Sequence, residues 1–311
     1  MTSENPPLTR EWLVSNALGG YASGTVGGVA TRRYHGLLVA ALPAPLGRVM
    51  MLNQVVESFH GWDGVVRAVG GAGPHAARLR EFRLESGLPV WQYELGEAIV
   101  EKQVLMPHRQ NTVHVRYRLV TGVGPLRLDL RPALHFRLHE APVSSDSEQP
   151  YTFSVTADRY EVRGPAALPT LRLFLVADQA AFTVDGRRID EVLYTVESSR
   201  GYADTGSLWS PGEFHADLAM GRDATLIGST EDWNVMLTLS PDAARTAERE
   251  RRRRLLGAAP PAARTGFAGD LVLAADQFVI TPNGRVEAAA RARAAGDDVR
   301  TVIAGYHWFT D

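Results

Sequence analysis

The stretch Asn16 to His35, NALGGYASGTVGGVATRRYH, sets five glycines among side chains suited to holding a polar ligand. Asn16 offers an amide, Arg32 and Arg33 offer planar donor forks, and His35 offers a ring nitrogen pair. Tyr21 and Tyr34 add flat faces that end in a hydroxyl. Aromatic faces beside planar hydrogen-bonding groups suit a sugar, whose ring presents C–H faces and hydroxyl edges. The glycines also have a plain structural reading, since they permit positive φ and close backbone approach. The residues alone leave these two readings balanced. A nucleotide fits less well: the GxxxxGK[ST] pattern is absent, as is a GxGxxG turn after a buried strand, and this half of the chain has almost no lysine.

Other chemistry-bearing groups are scattered. His135 and His139 are four apart and would share a face of a helix or a strand, but zinc needs at least a third ligand. On a strand Glu140 would point the other way. The pair therefore reads as a polar outer face, and no metal site is expected. With no cysteine there is no disulfide, thiolate ligand or cysteine nucleophile, and no GxSxG elbow marks a serine. Among 35 acidic residues no spacing singles out a pair for glycosidic chemistry. Glu57, Glu81, Glu94 and Glu101 sit in strand-like segments and read as surface or strand-face residues. No catalytic acid or base is nominated, and no cofactor is expected.

The elements that must position these groups are mostly strands. Alternation of apolar and polar residues runs through 112–120, 126–138, 151–157, 171–176 and 232–240, the pattern of antiparallel sheets with one buried face. Turn residues punctuate them at 121–125, 163–169 and 184–188. Residues 270–281 read as a further strand. One helix stands out at 241–256, with Ser240 or Asp242 as its cap, Pro241 in its first turn and Gly257 after it. Its arginine block, Arg251 to Arg254, reads as a favourable helix C-terminus plus a solvated face. Residues 285–300 fit either a short exposed helix or a linker. The sum is a mainly β chain, a large antiparallel sandwich with one or two short helices.

Bulk properties narrow the function classes. The chain has 311 residues, 45% of them hydrophobic and 22% charged, as in a globular protein. Its formal net charge of −2 gives no basic surface for nucleic acid or a membrane, so neither is an expected partner. No apolar run approaches the roughly 20 residues that cross a bilayer. The N-terminus lacks the blocks of a secretion signal, and the absence of cysteine suits a cytoplasmic location. Only one of the 33 Lys and Arg residues is lysine, Lys102, which reads as a coding bias of the source.

Several motifs carry a resemblance. EWLVSNALGGYASGTVGGVATRRYHGLLVAAL at 11–42 closely resembles the opening of bacterial and archaeal glycogen debranching enzymes of the amylo-α-1,6-glucosidase type. Matching stretches occur in order at 87–96, 101–119, 208–221, 271–280 and 297–311. The resemblance implies a galactose-mutarotase-like β-supersandwich, the N-terminal half of a protein whose second half is a catalytic barrel of paired helices. It implies a sandwich over 1–284, and over 285–311 a linker and the start of that barrel. In the family the GYHWFTD motif runs on into Trp-Gly-Arg-Asp, whereas this sequence stops at Asp311. The acidic pair of the barrel is therefore expected beyond the chain.

The resemblance also implies a substrate class, α-glucans such as glycogen and maltooligosaccharides, and a role in shaping the cleft. Asn16, Tyr21, Arg32, Arg33, Tyr34 and His35 become candidate substrate contacts on the barrel-facing side. Trp308 and Asp311 join them, as an apolar face and a hydroxyl acceptor. Two other classes fit the same sandwich: a stand-alone carbohydrate-binding module, and an epimerase-like enzyme acting on free sugars.

Overall fold

The computed structural model describes residues 8–71, 75–122, 125–145, 151–282 and 284–306. Its largest sheet has eight antiparallel strands. In spatial order they are β13 (Thr152–Thr156), β14 (Arg159–Arg163), β15 (Leu171–Val176), β18 (Ala224–Ser229), β10 (Thr112–Thr121), β9 (Ala98–Leu105), β8 (Leu88–Leu95) and β7 (Arg78–Glu85). Two five-stranded sheets form the opposing layer. The first runs β1 (Glu11–Ser15), β2 (Tyr21–Thr25), β3 (Gly36–Ala41), β4 (Arg48–Leu52) and β12 (Arg137–Leu138). The second runs β16 (Ala181–Leu193), β17 (Thr205–Leu218), β11 (Leu126–Ala133), β5 (Gln54–His60) and β6 (Val66–Ala68).

One continuous apolar core draws on all three sheets. Trp12 of β1 meets Trp91 of β8 edge to face at 5.2 Å, and Phe59 of β5 meets Tyr117 of β10 at 6.4 Å. Farther along, Tyr160 of β14 packs on Phe214 of β17 at 4.9 Å. Burying each of these side chains contributes about 2–3 kcal/mol, so the seam between the layers holds the sandwich together. The mainly β architecture expected from the period-two pattern is thus what the chain adopts.

Three local readings need correction. Residues 232–240 are not a strand: Trp233–Met236 form a short helix, α2, with α1 (Thr195–Ser199) before it. So short an alternating run does not separate strand from helix, and the Trp233 indole bond to Glu161 at 2.8 Å helps fix this turn on the large sheet. Residues 270–281 are mostly helix: α4 (Gly266–Asp276) occupies them, and only Val279–Ile280 are extended, as β19. The Ala- and Leu-rich composition favours a helix once one side, through Leu273, is buried. The expected turn at 184–188 lies inside β16, where the register against β17 shifts between Val184 and Arg187. Asp185 and Gly186 serve as a bulge, not as a hairpin.

The long helix is α3 (Pro241–Ala258), and Ser240 caps it by accepting from the Ala243 N–H at 3.2 Å. Its arginine block is only half solvated. Arg252 is buried, bonded to Glu248 at 2.7 Å and to the Ser86 carbonyl at 3.2 Å, while Arg251 joins Glu248 to Asp276 of α4. These bonds fasten α3 and α4 to the β7–β8 hairpin. Residues 286–294 form a helix, α5 (Val286–Ala294), and β20 (Thr301–Val302) then pairs with β19. Phe267, Val286 and Val302 stay exposed in this C-terminal region. A second, smaller core forms here: Ile280, Ile303 and Tyr306 cover Tyr21, Val39 and Met50 on the outer face of the first five-stranded sheet.

Candidate functional site

That outer face carries a cavity of about 430 Å³, lined by Leu18 and Gly19, by the 41–48 turn including Leu46 and Arg48, by Leu138 to Glu140, and by Ile280 and Pro282. The β1–β2 turn makes one wall. Ala17 at φ 61° and Gly19 at φ 97° reverse the chain tightly, so the second position suits glycine. Asn16 sets this turn from inside. Its Oδ1 accepts from the N–H groups of Leu18 and Gly20 at 2.9 and 3.0 Å. Its Nδ2 donates to the Gln110 carbonyl and to Asn111 Oδ1, both at 3.0 Å. Asn16 is fully buried and acts on the cavity only through the turn that it holds.

A buried polar network backs the opposite wall. The Tyr21 hydroxyl donates to the Tyr34 carbonyl and lies 2.9 Å from His139 Nε2. The other nitrogen of His139 lies 3.1 Å from Glu140 Oε1, and a proton there makes that contact attractive. Tyr34 lies tilted against the His139 ring at 4.7 Å and donates to Glu140 Oε2 at 3.0 Å. Arg33 completes the ring of contacts, reaching Glu140 at 3.2 Å and bonding the Tyr34 hydroxyl. Burial pushes the Tyr21 hydroxyl far up, and Tyr34 rises too, so both stay protonated donors at neutral pH. Behind them Arg137 is buried, binding the carbonyls of His139 and Ala141 and that of Arg33. Glu197 takes the Arg33 N–H at 3.1 Å and draws α1 into the same network.

Arg32 and His35 belong to a different cluster. Both hold Glu11, with His35 Nε2 3.2 Å from its carboxylate and Arg32 Nε bonded to the same oxygen. Burial raises the Glu11 carboxyl, but the bonds from His35 and Arg32 outweigh that and hold it down at about 2. A folded value below the ordinary 4.5 means that this cluster stabilises the fold fully above that pH. Its contribution is lost as pH falls from there toward about 2. Glu11→Gln is therefore expected to lower the melting temperature near neutrality and to flatten its acid-side decline. Melts of both proteins across about pH 6 to pH 2.5 read this out; parallel curves would rule it out.

The six described candidates thus separate. Asn16, Tyr21, Arg33 and Tyr34 brace the cavity walls from behind through their bonds to the turn at 16–20 and to His139 and Glu140, whereas Arg32 and His35 tie β1 to the loop before β3. Trp308 and Asp311 lie outside the described residues. Tyr306, the last described residue, packs its ring on Tyr21 at 5.4 Å and beneath the Arg48 guanidinium at 5.2 Å. Arg48 also binds the Gly19 carbonyl at 3.0 Å and the Gly305 carbonyl at 3.4 Å.

Sequence reasoning passed over Arg48, Arg137, Glu197 and the joint role of His139 and Glu140. The Glu140 reading is corrected: β12 ends at Leu138, so strand alternation no longer applies, and Glu140 turns back beside His139. Glu57 and Glu101 are corrected too. Both are buried, Glu57 bonded to Lys102 and Glu101 held by Arg83 and Arg118 at 2.7 and 2.8 Å. Among the described residues one group, Asp129, Glu213 and His215, brings potential metal-ligating atoms within 4.8 Å of one another. Arg127 already holds both Asp129 and His215, at 2.9 and 3.1 Å, so a cation there would meet a guanidinium. No helix among the described residues is long and apolar enough to cross a membrane.

Comparison with known proteins adds a family. The family described as "Glycogen debranching enzyme N terminal" matches residues 10–225. Among solved structures, a bacterial glucoamylase complexed with acarbose aligns with 89% of this chain and 43% of its own, at 8% identity and a TM-score of 0.46. A putative kojibiose phosphorylase from the human microbiome aligns with 86% of this chain and 34% of its own, at 10% identity and a TM-score of 0.32. The chain therefore spans well under half the length of either. No curated protein matches it.

Proposed function

The chain belongs to the glycogen debranching enzyme N-terminal family, and from that premise we propose that it is the non-catalytic sandwich of an α-1,6-glucosidase. Its part is to wall the α-glucan cleft and to seat a catalytic barrel of paired helices, with 285–311 leading into that barrel. The observation that carries this reading is where the chain leaves the sheet. Gly305 and Tyr306, the last described residues, are held by Arg48 and Tyr21 beside the cavity.

The lining suits a glucan edge. Leu18, Leu46 and Ile280 offer apolar contact for C–H faces, and Arg48 and Glu140 offer donors and acceptors for hydroxyls. Glu140 is the half-exposed member, with a side chain 46% accessible, while its other contacts fix its orientation. Arg33, Tyr34 and His139 together hold both of its carboxylate oxygens in place. Hydrolysis by a carboxylate pair is assigned to the barrel, with glycogen or limit dextrin as substrate and the cytoplasm as its place. Trp308 and Asp311 remain proposed contacts on the barrel side.

Glu140→Gln in the full-length enzyme is expected to raise KM for branched dextrin about tenfold with kcat near wild type, the signature of lost uniform binding. If both constants stay put, the cavity does not touch substrate.

A further inference from the structure

We propose a second, separate ligand site: a small cavity between the two layers, built around Lys102, that takes the hydroxymethyl edge of a neutral polyol such as a hexose. It shares no lining residue with the cavity above and does not depend on the barrel reading.

The first observation is compositional. Arginine fills almost every basic position, yet Lys102 stays lysine. A drift toward arginine would leave a lysine only where a guanidinium cannot do the same task. The second observation is the place where it sits. Lys102 lies mid-strand in β9, directly between Trp91 of β8 and Tyr117 of β10, and is 8% exposed. Its ammonium bonds Glu57 across the sandwich and lies 5.4 Å from the Trp91 ring centre.

The third observation concerns unused hydrogen-bonding capacity. An ammonium has three donors, and Glu57 is the one acceptor of Lys102 among the described residues. Tyr93, 3% exposed, lies in the wall beside it, and Glu57 Oε2 is buried without a hydrogen-bond partner. Buried polar groups are nearly always satisfied, so an unmet carboxylate oxygen beside an ammonium with spare donors marks a place for something polar. Lys102 and Tyr93 both line a cavity of about 50 Å³ whose other walls include Trp12 and Trp91. Gly28 and Val29, the exposed members of the lining, mark its mouth.

The chemistry selects the ligand class. Glu57 already balances the charge of Lys102, so an anion would gain little from the ammonium and would meet the carboxylate behind it. A hydroxyl can accept from Lys102 and donate to Tyr93, while its carbon lies on an indole face. The volume is that of one or two waters at about 30 Å³ each. It admits a hydroxymethyl group and leaves the rest of a sugar at the mouth.

Lysine-selective 13C and 15N labelling gives one side-chain signal, because Lys102 is the sole lysine. Titrating this chain with glucose is expected to shift that signal saturably, with a Kd of order millimolar. Tyr93→Phe, which removes one oxygen and leaves the packing intact, should weaken binding about tenfold. Lys102→Arg keeps the charge opposite Glu57 but fills the cavity, and should abolish binding. Glu140→Gln should leave it unchanged, so failure here and failure of the glucan cleft are told apart. The proposal is overturned if glucose causes no saturable shift, if inorganic phosphate binds in its place, or if Tyr93→Phe binds as well as wild type.

Discussion

Glu57→Leu is expected to cost the fold about 3–5 kcal/mol, a large share of the stability of any domain. The reason is asymmetry. Glu57 Oε1 takes both the Lys102 ammonium and the Tyr117 hydroxyl, the latter at 2.7 Å, and all three side chains are buried. Removing the carboxylate strands a positive charge between two sheets, and its desolvation is no longer offset. The melting temperature should fall by on the order of 10 °C. Adding Lys102→Met should restore most of the loss, since an apolar pair of similar volume fills the same space without a charge. A double variant as unstable as Glu57→Leu would show that the cost came from packing, not from the stranded charge.

Asn16→Ala is expected to cost about 2–5 kcal/mol and to undo the β1–β2 turn. The amide makes four hydrogen bonds while fully buried, two of them to the N–H groups of Leu18 and Gly20. Alanine leaves those donors unmet and unties the turn from Asn111, which in turn holds both backbone groups of Ala41 at 2.9 Å. Hydrogen exchange is the direct measurement. The Leu18 and Gly20 amides should change from protected to loop-like, while amides in β9 and β10 keep their rates. Because the Gly19 carbonyl orients Arg48, the full-length enzyme should also lose affinity for branched dextrin. Retained protection at Leu18 and Gly20 would mean that the turn stands by its own backbone geometry.

Legibility in the sequence differs from residue to residue. The apolar and polar alternation of 112–120 and 171–176 became β10 and β15, because one buried face and one wetter face leave a period of two in the sequence. The same rule failed for 232–240, where too few residues carried the period and contacts with the large sheet chose a helical turn. The stretch 16–35, dense in polar and aromatic groups, contributes Leu18 and Gly19 to the cavity lining. It could not show that Asn16 and Tyr21 are fully buried, so that they brace the wall from behind.

The sequence by itself determined the sheet-forming class and the family, because each is written in local periodicity or in continuous motifs. Only the tertiary structure decided the partners. Tyr21 meets His139, Arg33 meets Glu197 and Lys102 meets Glu57 across 118, 164 and 45 residues of chain. A single strand records which of its faces is buried but not what lies opposite. Folding brings these distant groups together, Lys102 and Glu57 between the two layers and the other pairs on the outer face of the first five-stranded sheet, and leaves each dependent on its partner.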